Sequence, residues 1–166
     1  DCLIDHGYSQ WSYHEAQALP GCVIYPRSTQ DVVKLVKLAA LHSIPLVPYS
    51  GGTSLEGHFH AFVSVNDPKV EERVPINELP PGLGWSLDFT EMGEIIKINA
   101  GDLDIVVQPG VSYDAINATL REQNIPLFFP VDPAPGAMIG TFLLVESHPS
   151  ASPFNVCFTN NFPQVG

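Results

Sequence analysis

Residues 44–58 read Ile44-Pro45-Leu46-Val47-Pro48-Tyr49-Ser50-Gly51-Gly52-Thr53-Ser54-Leu55-Glu56-Gly57-His58. The apolar run Pro45–Tyr49 is typical of a buried strand, and it leads directly into a turn of adjacent glycines and hydroxyl side chains. Glycine lets the backbone take a positive φ and come close to a ligand with no Cβ in the way. Successive N–H groups in such a turn can bind an anion, and diphosphate is the obvious one. The alternative is a plain turn that leaves a strand.

The nucleotide-binding motifs with known spacing do not fit this turn. Gly51, Gly52 and Gly57 do not form G-x-G-x-x-G, and the acidic residue that a dinucleotide fold carries on its second strand is missing. The sequence also contains no G-x-x-x-x-G-K-[ST]. A phosphate held here would be held without a P-loop lysine.

Composition limits the possible partners. The 166 residues are enough for one ordinary domain core, and 18 acidic against 7 basic side chains give a formal charge of −11. This balance argues against nucleic acid or an anionic membrane surface as a partner. No apolar run is long enough for a transmembrane helix. The odd number of cysteines, 3, forms no C-x-x-C and indicates reduced thiols of an intracellular protein.

The residues before the turn predict a βαβ unit. Cys22–Tyr25 reads as a strand, Ser28 or Thr29 as the cap of a helix that runs to His42, and Pro45–Tyr49 as a second strand. A helix of this length can form the crossover between two parallel strands, so we expect these two strands to pair. The turn then leaves the carboxyl end of the second strand, where open α/β sheets bind ligands.

Three further strands and one helix are predicted after the turn: Ser86–Phe89, Glu94–Asn99, Asp104–Val107 and the amphipathic helix Tyr113–Gln123. Residues 62–81 form an irregular, proline-rich insertion, which is either a surface loop or translated intron. Residues 1–18 form an N-terminal segment whose aromatic residues Tyr8, Trp11 and Tyr13 we expect to pack on the domain. Residues 141–166 fit neither period, and we interpret them as a non-native tail.

Four ordered blocks resemble one known family. They are Pro26–Val32 with Ile44–Pro48, Ser50–His58, Asp104–Val111 and Phe128–Gly140. Together they resemble the FAD-binding domain of the vanillyl-alcohol oxidase type, also called PCMH type, and most closely its D-lactate dehydrogenase (cytochrome) branch. Glycolate oxidase subunits and D-2-hydroxyglutarate dehydrogenase are also similar. Four blocks in the same order are far more specific than one glycine-rich turn.

The resemblance implies an α+β fold, truncated after its first half. A small βαβ subdomain would be followed by the start of a second, larger subdomain, so that a partial FAD-binding domain spans residues 19–140. It implies the FAD-binding portion of an oxidoreductase acting on D-2-hydroxy acids. In intact relatives the flavin accepts a hydride from the substrate and passes electrons on, and a cap domain that this chain lacks supplies the substrate-binding residues. No catalytic residue or metal ligand is therefore assigned here.

The resemblance also implies which residues hold FAD. The turn would wrap the pyrophosphate, the residues beside it would line the same wall, and the last block would approach the adenosine or the flavin. These residues are Pro48, Ser50, Gly51, Gly52, Thr53, Ser54, Gly57, His58, Pro130, Asp132, Pro133, Ala137, Ile139 and Gly140. Some relatives attach FAD covalently through a histidine at the end of the turn, where this chain has Thr53. A hydroxyl cannot form that bond, so we expect non-covalent FAD.

Two further expectations concern the protein as a whole. The resemblance implies a mitochondrial protein, although the chain begins at Asp1 with no targeting segment. The alternative to a working FAD site is a truncated, non-catalytic remnant that does not bind FAD stably, because half of the flavin site is missing and the net charge opposes an anionic ligand. A plain α/β interaction domain would require the four blocks to match by coincidence.

Overall fold

The computed structural model describes residues 2–14, 16–61, 78–79, 81–129, 136–140 and 156–157. Most of the insertion at 62–81, the segment 130–135 and all but two residues of the tail at 141–166 lie outside the described residues. The elements in chain order are α1 (Cys2–Gly7), β1 (Cys22–Ile24), α2 (Thr29–Leu41), β2 (Leu46–Tyr49), β3 (Trp85–Asp88), a 3₁₀ turn (Phe89–Glu91), β4 (Ile95–Asn99), β5 (Asp104–Val107), α3 (Tyr113–Glu122) and β6 (Val156–Cys157).

The first sheet is parallel and has the strand order β1-β3-β2. The parallel βαβ arrangement is confirmed, but the expected pairing of β1 with β2 is wrong. β3 lies between them and pairs with both, with Ser86 opposite Val23 and Val47. As the central strand, β3 buries three of its four residues. Its Ser-Leu-Asp sequence does not have the apolar character of most central strands, so the sequence pattern alone did not place it there.

Helix α2 connects β1 to β2 and has a conventional start. The Ser28 side chain accepts a hydrogen bond from the Asp31 N–H, which confirms Ser28 as the cap. At the other end Ser43 has φ 54, and the Ile44 N–H donates to the Ala39 carbonyl at 2.8 Å. This left-handed cap stops the helix and turns the chain into β2.

The second sheet is antiparallel, in the order β4-β5-β6. β4 and β5 are joined through a turn at Gly101 and Asp102, as predicted, with Leu103 at φ 58. The two residues of β6 pair with Asp104 and Ile105 of β5. This short pairing lies within the segment that we expected to be irregular.

One hydrophobic core lies between the second sheet and α3. Its fully enclosed members include Ile105 of β5, Ile116 and Leu120 of α3, and Phe129. Ile139, from the last of the four family-like blocks, joins the same core at 2% exposure. The segment that follows α3 is therefore held by side-chain packing on the second subdomain.

The N-terminal segment packs on the first sheet through residues other than those predicted. Tyr13 is 97% exposed, so the expectation that it packs on the domain is wrong, whereas Tyr8 and Trp11 are partly covered at 43% exposure each. The buried polar residues of the segment are His6 and Ser9, at 5% and 1% exposure. Both can be buried because each finds a hydrogen-bond partner there, and sequence hydrophobicity does not reveal such partners.

No helix among the described residues is long and apolar enough to cross a membrane.

The Asn117 side chain fastens the segment after α3 and gives a first prediction. Its Oδ1 accepts from the Phe129 N–H at 2.8 Å, and its Nδ2 donates to the Phe129 carbonyl at 3.3 Å. We expect Asn117→Ala to lower the free energy of unfolding by about 2 kcal/mol, because two partly buried backbone groups lose their partner. Urea denaturation measures it. Glu122→Ala, at an exposed position of the same helix, is the control. Equal stability of both variants would show that the two hydrogen bonds of Asn117 do not hold the segment.

Candidate functional site

The glycine-rich turn 50–54 lies where the two subdomains meet. It follows the carboxyl end of β2, and the Ser50 hydroxyl donates to the Pro109 carbonyl at 3.0 Å. The same carbonyl accepts from the Gly140 N–H at 2.8 Å, and the Ile139 N–H donates to Val111 at 2.9 Å. Three of the four family-like blocks are thereby brought together at one point, although they are up to 90 residues apart in sequence.

Gly51 and Gly52 both adopt the left-handed conformation, with φ 74 and 64. A Cβ on Gly51 would lie 2.7 Å from the Gly136 carbonyl oxygen, and a Cβ on Gly52 would lie 2.6 Å from the Tyr49 hydroxyl. Both positions therefore require glycine. We expected the missing Cβ atoms to make room for a ligand, but they make room for the protein's own backbone and side chain.

The backbone N–H groups are a second feature of this turn. Among the described residues, none accepts a hydrogen bond from the N–H of Gly51, Gly52 or Thr53. All three residues are half-buried. Unpaired N–H groups at this depth are costly unless water or a ligand accepts from them, and successive N–H groups in a turn can form an anion-binding concavity.

The hydroxyl groups of the turn have different roles from those expected. Ser50 and Ser54 are 3% and 4% exposed, and both hydroxyls already have protein partners. Ser50 bonds Pro109, and Ser54 Oγ lies 2.9 Å from His58 Nδ1. In the described structure the free hydroxyl of the turn is that of Thr53. Ser50 and Ser54 therefore act first as internal braces, which the sequence could not distinguish from ligand contacts.

Two histidines border the turn. His58 is exposed apart from its bond to Ser54. His60 lies beneath Gly57, whose φ is 65 and whose Cβ would lie 2.8 Å from the His60 ring. Burial, and secondarily the charge of His14, lower the pKa of His60. Among the described residues, no group of three His, Cys, Asp or Glu side chains could hold a metal ion.

The remaining predicted site residues pack within the protein next to the turn or lie outside the described residues. Ala137 and Ile139 are each 2% exposed, and the N–H of Gly140 is occupied by Pro109. Pro48 lies in β2, an edge strand, where a missing N–H costs least. Pro130, Asp132 and Pro133 are outside the described residues.

A buried ion pair beside the turn was not foreseen from the sequence. His6 Nε2 lies 2.7 Å from Asp88 Oδ2, and its Nδ1 lies 2.6 Å from the Cys2 carbonyl oxygen. Both partners are acceptors, so both ring nitrogens carry a proton and His6 is charged. Asp88 ends β3 and faces Tyr49 across the sheet, and the Tyr49 ring lies 4.2 Å from the His6 ring.

The surroundings shift both pKa values toward the charged pair. Burial by itself lowers the pKa of His6, but the bonds to Asp88 and to Cys2, and the charges of Asp88 and Asp5, together raise it. Burial likewise acts to raise the pKa of Asp88, and the hydrogen bonds from His6 and Thr90 with the His6 charge lower it. Geometry and pKa directions agree that the pair is ionised.

Comparison with known proteins indicates the kind of domain that this chain resembles. A model of the FAD binding domain family matches residues 20–65, which include both parallel strands β1 and β2 and the turn between the subdomains. In structure, the chain is similar to p-cresol methylhydroxylase with substrate bound: the TM-score is 0.58 at 23% identity, over 82% of this chain and 23% of that one. Residues 20–65 match the FAD binding domain family, the chain has a fold similar to that of p-cresol methylhydroxylase, and the family match supports FAD as a cofactor.

Two relatives with similar sequences are D-lactate dehydrogenases. The D-lactate dehydrogenase (cytochrome), mitochondrial, of Arabidopsis thaliana is 36% identical over 135 residues, which are 81% of this chain and 20% of that protein. Its counterpart in Kluyveromyces lactis is 40% identical over 142 residues, 84% of this chain and 21% of that protein. The chain is a homologue of these D-lactate dehydrogenases and spans about a fifth of their length.

The His6–Asp88 pair generates a prediction for stability against pH. The pKa of His6 is raised above its ordinary 6.5, so its contribution is complete below 6.5 and is lost as the pH rises through the raised value. The pKa of Asp88 is lowered below 3.8, so its contribution is present above 3.8 and is lost as the pH falls through the lowered value. The pair therefore stabilises the fold most between these two ordinary values.

We expect His6→Gln to cost about 3 kcal/mol of unfolding free energy near pH 5.5, because Asp88 is left buried without its cation, and much less near pH 9. Tyr25, Tyr49, Cys2 and Asp5 also face His6, and none is a competing cation. Chemical denaturation at both pH values measures the difference. His42→Gln, at an exposed position after α2, is the control. A cost independent of pH would show that His6 acts through packing alone.

Proposed function

We propose that this chain is the FAD-binding portion of an oxidoreductase that acts on D-2-hydroxy acids, and that residues 50–54 hold the FAD pyrophosphate non-covalently. The observation that carries the proposal is that the N–H groups of Gly51, Gly52 and Thr53 have no acceptor among the described residues, in a left-handed turn where three family-like blocks meet. Bound FAD would supply a ring that takes up two electrons as hydride. The protein would supply position and electrostatics.

The pyrophosphate would be held by neutral dipoles. Two of the described basic side chains are already paired, Arg27 with Glu91 and Lys34 with Asp31. In a chain of charge −11 we expect the cluster of N–H groups, with the Thr53 hydroxyl, to provide the attraction. Fixed backbone donors need no reorientation when the anion arrives, which makes them effective in a half-buried turn.

The substrate class and the location follow from the relatives. Both D-lactate dehydrogenases named above carry the word mitochondrial in their names. We infer a D-2-hydroxy acid as the substrate of the whole protein, and the mitochondrion as its location. Activity with D-lactate in the full-length protein, and organelle fractionation with an antibody against residues 2–61, test these two inferences.

The test of the cofactor site is an FAD titration of the 166-residue chain followed by flavin fluorescence. We expect saturable binding, and we expect Gly52→Ala to weaken it at least tenfold, since a Cβ at positive φ would press on Tyr49 and displace the turn. Gly101→Ala is the matched control, because a Cβ there meets no atom within 4 Å. A thermal-shift measurement without FAD confirms that each variant is folded.

Competition experiments separate the pyrophosphate from the rest of FAD. ADP should displace FAD, and adenosine should not, if the turn holds the phosphates. Equal displacement by both would assign the affinity to the adenosine alone. Absence of FAD binding by the unchanged chain would favour the alternative, a remnant without a working site, for which the engaged Ser50 and Ser54 hydroxyls and the acidic charge are the supporting observations.

The non-covalent attachment gives a separate prediction. Because Thr53 occupies the end of the turn, acid precipitation of the FAD-loaded chain should release all flavin into the supernatant. Flavin absorbance of the supernatant and of the redissolved precipitate measures the released and the retained flavin. Flavin that stays with the precipitate would show a covalent bond to another side chain.

A further inference from the structure

The N-terminal segment contacts the turn 50–54 on the side away from the proposed FAD site. Helix α1 has six residues and is too short to be stable in isolation, so its position depends on tertiary contacts. The His6–Asp88 ion pair attaches it to the end of β3, directly beside Tyr49. The chain then continues from α1 beneath the turn 50–54.

Ser9 is the residue that touches the turn. Its hydroxyl donates to the Ser54 carbonyl at 2.9 Å and lies 3.4 Å from the Gly52 carbonyl. The same oxygen accepts from the Trp11 N–H at 3.3 Å. Ser9 is 1% exposed, so this hydroxyl is enclosed with partners on both sides and has no alternative in water.

Planar peptide geometry links this contact to the anion site. In a trans peptide the C=O of one residue and the N–H of the next point in opposite directions. The Gly52 carbonyl points toward Ser9, so the Thr53 N–H points to the other side of the turn. The Ser54 carbonyl directs the Leu55 N–H in the same way. The Ser9 hydroxyl, by holding the Gly52 and Ser54 carbonyls, therefore sets the direction of the Thr53 and Leu55 N–H groups.

We propose that residues 2–14 are part of the cofactor site and that Ser9 is a positioning residue that aims the Thr53 N–H of the turn at the FAD pyrophosphate. The proposal rests on the proposed function. Ser9 touches no cofactor atom itself. It stabilises the peptide orientation that an anion requires, and so lowers the cost of ordering the turn when FAD binds.

The test compares Ser9→Ala with Ser12→Ala in the full chain. Ser12 lies in the same segment, and its hydroxyl accepts from the His14 N–H without touching the turn. We expect Ser9→Ala to weaken FAD binding about fivefold to tenfold, the usual effect of one lost hydrogen bond, and Ser12→Ala to leave it unchanged. Ser9→Cys, which keeps a weak donor of similar size, should fall between Ser9→Ala and the unchanged chain.

A spectroscopic measurement excludes a purely structural effect. At saturating FAD, the phosphorus-31 resonances of the bound pyrophosphate should move toward their free positions in Ser9→Ala and stay in place in Ser12→Ala. Loss of folded stability alone would change the fraction bound but not the resonance positions of the bound state.

The outcomes separate this inference from the proposed function. If the unchanged chain binds FAD and Ser9→Ala binds equally tightly with unmoved resonances, the positioning role is wrong and the cofactor site stands. If the unchanged chain fails to bind FAD, the proposed function fails and the positioning role fails with it. If Ser9→Ala does not fold, the Ser9→Cys affinity and resonances decide between the same results.

Discussion

The left-handed turn at Gly51 and Gly52 is the constraint on which the candidate site depends. It lies against the Gly136 carbonyl on one side and the Tyr49 hydroxyl on the other, at distances that exclude any side chain. Successive N–H groups in a turn can form an anion-binding concavity, and close packing of both glycines against the protein fixes the shape of this turn. The same two glycines therefore satisfy the packing between the subdomains and the chemistry of an anion site.

The hydrogen bonds around the turn follow a common principle. Ser50, Ser54 and Ser9 are nearly inaccessible, and each hydroxyl pairs with a neighbouring protein group. The side-chain hydroxyls of Ser9, Ser50 and Ser54 hold the turn internally, and in the described part of the chain the N–H groups of Gly51, Gly52 and Thr53 have no acceptor, so we expect an anion to meet donors that are already oriented. This arrangement suits an acidic chain, because fixed dipoles act at short range and depend little on the net charge.

The buried His6–Asp88 pair connects this turn to a part of the chain that shows no family-like motif. Both carboxylate oxygens of Asp88 are used, one by His6 and one by the Thr90 N–H, so a single side chain ends β3, starts the 3₁₀ turn and holds α1. A buried ion pair is stable only when its remaining hydrogen bonds are also satisfied, and here they are. The N-terminal segment is thus integrated into the fold by polar contacts.

Local periodicity, capping and glycine chemistry depend on residues near one another in the chain, so they predicted the parallel βαβ unit, a helix cap at Ser28 or Thr29, the β4–β5 turn and the resemblance of residues 20–65 to FAD binding domains. The position of β3 between β1 and β2, the inward orientation of Ser50 and Ser54, and the buried contacts of His6 and Ser9 were set by tertiary structure. These outcomes depend on partners such as Pro109 and Asp88, which lie 59 and 82 residues away in the chain. A serine or histidine carries no sequence signal of the partner it will find, so its role is set only when distant segments come into contact.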